Sequence, residues 1–135
     1  MILDTSVLVS AERGRSRLDR LIGDEDDVAI AAVTAAELWV GVALADGRRR
    51  PRRATFVEQV LATIPVEDYD LEVAWAHAAL LAAAGRAGRP RGAHDLLIAA
   101  TGIARERALL TMDRRGFEDI EGLEVRMADQ TVGDG

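Results

Sequence analysis

The run "AHDLLIAATGIARERALLTMDRRGFEDI", Ala93 to Ile120, changes its pattern twice. From Ala93 to Ala104 it is apolar on every side, the composition of a buried helix. His94 and Asp95 stand in its first turn. "ALLT" (Ala108–Thr111) then reads as a short buried strand, and Asp113 follows it into a short helical piece. Helix, strand and helix in succession are the unit of an alternating α/β chain. The run also poses a question. A carboxylate at the head of a buried helix is costly unless a cation meets it. No lysine or arginine lies within three residues of Asp95.

The same alternation extends outward. "MIL" opens a strand that ends at Asp4, and "DVAIAAV" (Asp27–Val33) is a second strand. The helix "TAAELWVGVALA" follows, then the basic turn and helix "RRRPRRATFVEQVLAT", then a short strand "IPV". "DYDLEVAWAHAALLAAAG" reads as a helix with Asp70 as N-cap and Gly85 as its stop. A Gly/Arg/Pro loop leads into the run quoted above, and "LEVRM" is the last strand. The expectation is one domain over residues 1–127 and a polar tail over 128–135. Strands alternating with helices predict an α/β fold, a mostly parallel sheet covered on both faces. Such sheets place ligands beyond the carboxyl ends of their strands.

Composition narrows the chemistry. The chain has 135 residues, 49% of them apolar, enough for one core. No stretch is long and apolar enough for a membrane span. The start "MILDTS" has no basic lead, which argues against a secretory signal. There is no cysteine, which excludes disulfides, zinc–thiolate sites and cysteine nucleophiles, and fits a cytoplasmic setting. The net charge is −6, and all 17 basic residues are arginine. Lysine chemistry is therefore impossible, while arginine suits bidentate phosphate contacts.

The strand-end rule selects Asp4, Glu37 and Asp113, and Asp95 joins them only if its helix packs with its N-terminus pointing the same way. Each has an ordinary explanation alone. Thr34 to Glu37 fits a capping box, Asp95 suits the positive end of a helix, and Asp113 and Asp4 suit caps or turns. Together they crowd one edge and repel each other. Without a cation one or more would hold a proton. Oxygen ligands with no cysteine and at most one nearby histidine favour Mg²⁺ or Mn²⁺ over zinc.

"MILDTSVLV", "TAAELWVGV", "AHDLLIAATG" and "LLTMDRRGFEDIEGLEV" resemble, in order and spacing, the successive motifs of PIN-domain proteins, most closely the VapC-type toxins of bacterial toxin–antitoxin pairs. The resemblance covers nearly the whole chain. It implies a three-layer α/β/α sandwich and a metal-dependent endoribonuclease that leaves a 5′-phosphate and a 3′-hydroxyl. Residue by residue it implies Asp4 and Asp95 as metal ligands, and Asp113 as a direct or water-mediated one. Glu37 would orient the attacking water, and Ser6 and Thr111 would support the ligands by hydrogen bonds. One position departs from the pattern. Many relatives carry Asp or Asn three residues after the fourth acid, where this chain has Gly116. That favours one tightly bound ion, with any second arriving with substrate.

The resemblance also implies an RNA substrate (transfer or ribosomal RNA) and a small VapB-type antitoxin, through which the complex would bind operator DNA. A homodimer or a dimer of heterodimers is the expected assembly. Arg48, Arg49 and Arg50, with Arg86, Arg89 and Arg91, are candidate RNA grips, because an acid cleft by itself repels phosphate. His94, beside Asp95, reads as a helix N-cap or a satisfied buried group, with contact to substrate as the alternative, and His77 as structural with nothing beside it. Trp39 and Trp75 read as packing residues or the wall of a partner groove. Gly41, one turn after Glu37, is expected to permit close packing.

Two rival readings fail on single residues. A haloacid-dehalogenase-type phosphatase needs D-x-D, and position 6 is Ser; a receiver domain needs a switch lysine, and there is none. The remaining rival is an interaction module acting mainly through its antitoxin, with catalysis lost or weak.

Overall fold

A computed structural model describes residues 1–23, 27–88 and 91–128. Among these described residues five strands carry the fold: β1 (Ile2–Leu3), β2 (Ile30–Ala31), β3 (Val66–Glu67), β4 (Leu109–Thr111) and β5 (Val125–Met127). The helices are α1 (Thr5–Glu12), α2 (Leu18–Leu21), α3 (Ala32–Leu44), α4 (Arg50–Thr63), α5 (Leu71–Ala87) and α6 (Ala93–Ala104), with a 3₁₀ turn at Arg114–Gly116. β1 pairs with β4 and β4 with β5, while β2 pairs with β3, all in parallel. A parallel bridge from Ile2 to Ala29 joins the two ladders. The spatial order is therefore β3-β2-β1-β4-β5.

The pleat sorts the core into two halves, because successive strand residues face opposite sides. Leu3, Ile30 and Leu110 pack with Val7 and Leu8 of α1, Leu38 and Val42 of α3, and Val57 and Val60 of α4. Ile2, Ala29, Ala31 and Leu109 pack on the other side with Ile98 and Ala99 of α6 and with Phe117. Both faces of the sheet are covered, which is the α/β/α layering expected from the sequence. α6 is buried at Leu96 and from Ile98 to Gly102, as its composition predicts.

Several boundaries differ from those the sequence predicts. α1 and α2 carry no signal that foretells them. "SVLVS" is rich in β-branched residues and has no helix stamp, so burial of Val7, Leu8 and Ser10 against the sheet decides it. β2 stops at Ala31, and Ala32 and Val33 join α3. Its partner β3 is only two residues long, so the ladder has nothing to pair with beyond Ala31, and alanine favours the helix. Asp70 is the N-cap of α5, its carboxylate accepting the Val73 amide at 3.1 Å. Gly85, however, lies inside that helix. The stop is Gly88, at φ 63, where a left-handed residue closes the last turn. Residues 129–135 of the tail, and Arg89, lie outside the described residues.

Candidate active site

Asp4 leaves β1 at its carboxyl end and is buried, 6% exposed. Its amide donates to the Leu110 carbonyl (2.8 Å), so the sheet itself fixes the position. Its side chain does not cap α1. Instead Oδ2 accepts two hydroxyls, Ser6 Oγ at 2.6 Å and Thr111 Oγ1 at 2.8 Å. Thr111 is fully buried and ends β4, the strand beside β1. The Asp113 amide donates to Thr111 Oγ1 (3.0 Å) and the Met112 amide to Ser6 Oγ (3.1 Å). One hydroxyl thus ties Asp4 to the backbone that presents Asp113. Both hydroxyls stand where the resemblance places supporting donors.

Glu37 lies in the second turn of α3, half-buried. The capping-box reading of Thr34 and Glu37 does not hold. The N-cap is Ala31, with no side-chain cap bond. Because the helix starts earlier than expected, Thr34 falls inside it and is fully buried. Thr5 Oγ1 lies 2.8 Å from Glu37 Oε1 and 3.0 Å from Thr34 Oγ1. Sequence reasoning misses Thr5; its one signal is a second hydroxyl beside Ser6 in the turn after Asp4. The other Glu37 oxygen, Oε2, lies 3.3 Å from His94 Nδ1. His94 is therefore neither an N-cap nor buried. It is 60% exposed and faces Glu37, while the N-cap of α6 is Gly92.

Asp95 is half-buried in the first turn of α6. Its carboxyl is pushed above the ordinary aspartate range, first by desolvation and then by the negative charges of Asp4, Glu37 and Asp113, against a smaller opposing pull from His94. All four acids chosen from the sequence therefore share one electrostatic field. Asp113 is exposed and takes the Arg115 amide on Oδ1 at 3.1 Å, so its role as cap of the 3₁₀ turn is also real. As placed, no three His, Asp or Glu side chains among the described residues converge closely enough to enclose an ion. Asp4, Glu37 and Asp113 are each turned to a donor of their own.

The surrounding residues fall into two groups. Arg48 and Arg49 are exposed in the turn before α4, their amides on Asp46 Oδ1 at 3.1 and 2.9 Å. Arg50 and Arg91 turn to carbonyls instead: Arg50 Nη2 to Ala45 (2.7 Å), Arg91 Nη1 to Gly116 (3.2 Å) and Nη2 to Glu118 (2.6 Å). Trp39 and Trp75 are not core residues, at 40% and 70% exposed. The core-facing positions of α3 are Thr34, Leu38 and Val42, and Trp39 sits about 100° round the helix from Leu38. His77 has a neighbour after all. Its Nδ1 lies 2.9 Å from the Tyr69 hydroxyl, and the two rings meet edge to face. At Gly41 an added Cβ would meet only Arg53, at 3.9 Å, so no close approach demands glycine there.

Comparison with known proteins bears on this geometry. A family model described as "PIN domain" matches residues 1–123. A curated protein named Ribonuclease VapC5, from Mycobacterium tuberculosis, is 40% identical over 116 residues, covering 83% of this chain and 82% of its own. Ribonuclease VapC of Rickettsia bellii is 30% identical over 126 residues, 93% of each chain. The crystal structure of VapBC-5 from M. tuberculosis, described as a member of the VapBC family of toxin–antitoxin systems, superposes with a TM-score of 0.76 at 30% identity, over 94% of this chain and 97% of that one. A chain of VapBC2 from Rickettsia felis, crystallised with a promoter DNA fragment, matches in fold with a TM-score of 0.85 at 23% identity, over 95% and 98% of the two chains. With the family motif spanning the sheet edge that gathers Asp4, Glu37, Asp95 and Asp113, the chain belongs to the PIN-domain family and is similar along most of its length to VapC ribonucleases.

Proposed function

We propose that the protein is a metal-dependent endoribonuclease, the toxin of a toxin–antitoxin pair, cutting RNA at the edge formed by Asp4, Glu37, Asp95 and Asp113. The observation that carries the reading is the position of Asp95: a partly desolvated carboxylate facing three further acids, in a chain whose relatives are named ribonucleases. The donor set is carboxylate and hydroxyl oxygen, which suits Mg²⁺ or Mn²⁺. Mg²⁺ usually takes one or two carboxylates and keeps several waters, so a site whose acids do not all converge fits its habits. Asp4 and Asp95 would hold the ion, with Asp113 direct or through water.

When bound, such an ion eases deprotonation of water and offsets charge growing on the phosphate. The chain supplies the rest. Ser6 and Thr111 donate to Asp4 and hold it as an acceptor. Thr5 and His94 meet the two Glu37 oxygens and aim that side chain, which orients the attacking water. Exposed Arg48 and Arg49 supply the positive charge an RNA backbone needs near an acid cleft. The products carry a 5′-phosphate and a 3′-hydroxyl. The cellular partner is a small VapB-type antitoxin, which would carry any contact with operator DNA; relatives of this fold are seen in VapBC complexes. A groove lined by Val9, Leu38, Phe56 and Val57, with Glu37 and the Arg53–Glu12 ion pair also in its wall, offers that partner a mostly apolar bed.

Incubating purified protein with total RNA and Mg²⁺ or Mn²⁺, with and without EDTA, tests the reading. Metal-dependent fragments support it. No cleavage with either metal favours the interaction module instead.

A further inference from the structure

The Asp95 carboxylate lies between two glycines. A Cβ added at Gly116 would stand 2.6 Å from Asp95 Oδ2, and one added at Gly92 would stand 3.2 Å from the same atom. Gly92 is the N-cap of α6, and Gly116 ends the 3₁₀ turn that begins just after Asp113. Neither glycine has a positive φ. What they provide is room, so the carboxylate rests against backbone on both sides. The two walls belong to segments separated in the chain, and one side chain joins them. Arg91, the residue before Gly92, sends Nη1 to the Gly116 carbonyl (3.2 Å) and Nη2 to the Glu118 carbonyl (2.6 Å). A guanidinium is a planar fork of donors, suited to holding two acceptors in fixed relation. Both nitrogens are thereby committed to carbonyls.

We propose that Arg91 is a positioning residue: it staples the Asp113–Glu118 turn to the start of α6, and with Gly92 and Gly116 forms a slot that sets the orientation of Asp95 relative to Asp113. In sequence Gly116 is an acid missing from a frequent pattern, and Arg91 is one basic residue in a basic loop. In the structure they are two halves of one device. A side chain at position 116 meets the tip of Asp95, not backbone. The chain can relieve that clash by rotating Asp95, at little cost to the fold and directly at the cost of the site.

The functional consequence rests on the metal-nuclease reading, so the test separates the two. Three proteins are compared: wild type, Arg91→Met and Gly116→Ala. Amide exchange on metal-free protein comes first. Arg91→Met is expected to speed exchange of the Phe117 and Glu118 amides, which close the turn onto the Arg114 carbonyl, and Gly116→Ala to leave them as they are. Calorimetric titration with Mn²⁺ alone, without RNA, comes second. Both variants are expected to bind about tenfold more weakly than wild type, the usual scale when a group that supports a metal ligand is removed. Gly116→Ala is expected to do so with an unchanged melting temperature, and Arg91→Lys to recover part of the loss. On an RNA substrate, Arg91→Met should lower kcat and leave KM and its salt dependence alone.

Three results in the variants overturn the proposal. One is wild-type exchange at Phe117 and Glu118 in Arg91→Met. Another is wild-type Mn²⁺ affinity in Gly116→Ala. The third is a raised KM in Arg91→Met, with a flattened salt slope and unchanged Mn²⁺ affinity, which makes Arg91 a phosphate grip. If wild type binds Mn²⁺ but cuts no RNA, the nuclease reading fails while the affinity comparison still decides the slot. If wild type binds no Mn²⁺, both fail.

Discussion

Thr111→Val is the substitution whose effect the structure fixes most closely. The side chains are nearly isosteric, the site is fully buried, and only the hydroxyl is removed. That hydroxyl does two things: it donates to Asp4 Oδ2 at 2.8 Å and accepts the Asp113 amide at 3.0 Å. A hydrogen bond to a charged acceptor is worth about 1.5–3 kcal/mol, and an orphaned buried amide costs about 1–3 kcal/mol. Ser6 still donates to Asp4, and the Asp113 amide lies near the surface, so the low end of each range applies. The expected loss is about 2–4 kcal/mol. For 135 residues the entropy of unfolding is about 0.28 kcal/mol per kelvin, so the melting temperature should fall by about 7–14 °C. Thermal melts of metal-free wild type, Thr111→Val and Thr111→Ser provide the assay. Serine keeps the hydroxyl and should recover most of the loss. A Thr111→Val protein melting within about 2 °C of wild type would mean that the hydroxyl does not join the two strand ends.

Three further predictions concern charge. The folded pKa of Asp95 is raised above the ordinary aspartate value of 3.8. An acid of this kind binds more protons folded than unfolded, so its ionisation costs stability above the raised pKa, and that cost vanishes as the pH falls to the unfolded value. Asp95→Asn should therefore melt higher than wild type at pH 7 without metal, with the gap closing in acid; a lower melting temperature at pH 7 would contradict the crowded-acid picture. Mn²⁺ affinity of wild type should begin to fall at a pH above the usual aspartate range, as calorimetry would show. Neutralising Arg48 and Arg49 to Gln should leave the melting temperature unchanged and flatten the salt dependence of RNA binding, by about 0.7 in log–log slope for each phosphate no longer neutralised. An unchanged slope removes those residues from the RNA path.

What the sequence discloses and what it hides separate along physical lines. Asp4 and Asp113 are legible because strand ends fall on one edge of a parallel sheet, and Asp95 reaches that edge through the packing of α6, which follows a helix and not a strand. Glu37 is legible from its place soon after β2; α3 begins two residues early, so Glu37 falls in its second turn, and the capping box that offered the ordinary explanation is not formed. The helix at Thr5–Glu12 stays hidden because burial, not propensity, makes it, and Thr5 as a partner of Glu37 is hidden with it. Arg91 and Gly116 cannot be paired from sequence. They lie 25 residues apart, and a carbonyl, which every residue has, is the acceptor. The tryptophans are not packing residues of the core, as their bulk suggests; both are exposed, and of the two sequence readings only the partner-groove one stays open.

The four acids together are the proposed metal-dependent RNA-cleaving centre, with Asp95 at its heart. The most direct test pairs wild type with Asp95→Asn on the same RNA in Mn²⁺, with fragment ends mapped and melting curves recorded in parallel. Wild type is expected to give fragments with 5′-phosphates, and EDTA to abolish them. An Asp95→Asn protein is expected to cut nothing while melting cooperatively at or above the wild-type temperature. Wild-type cleavage rates in the folded Asp95→Asn protein would rule out Asp95 as part of the cleaving centre.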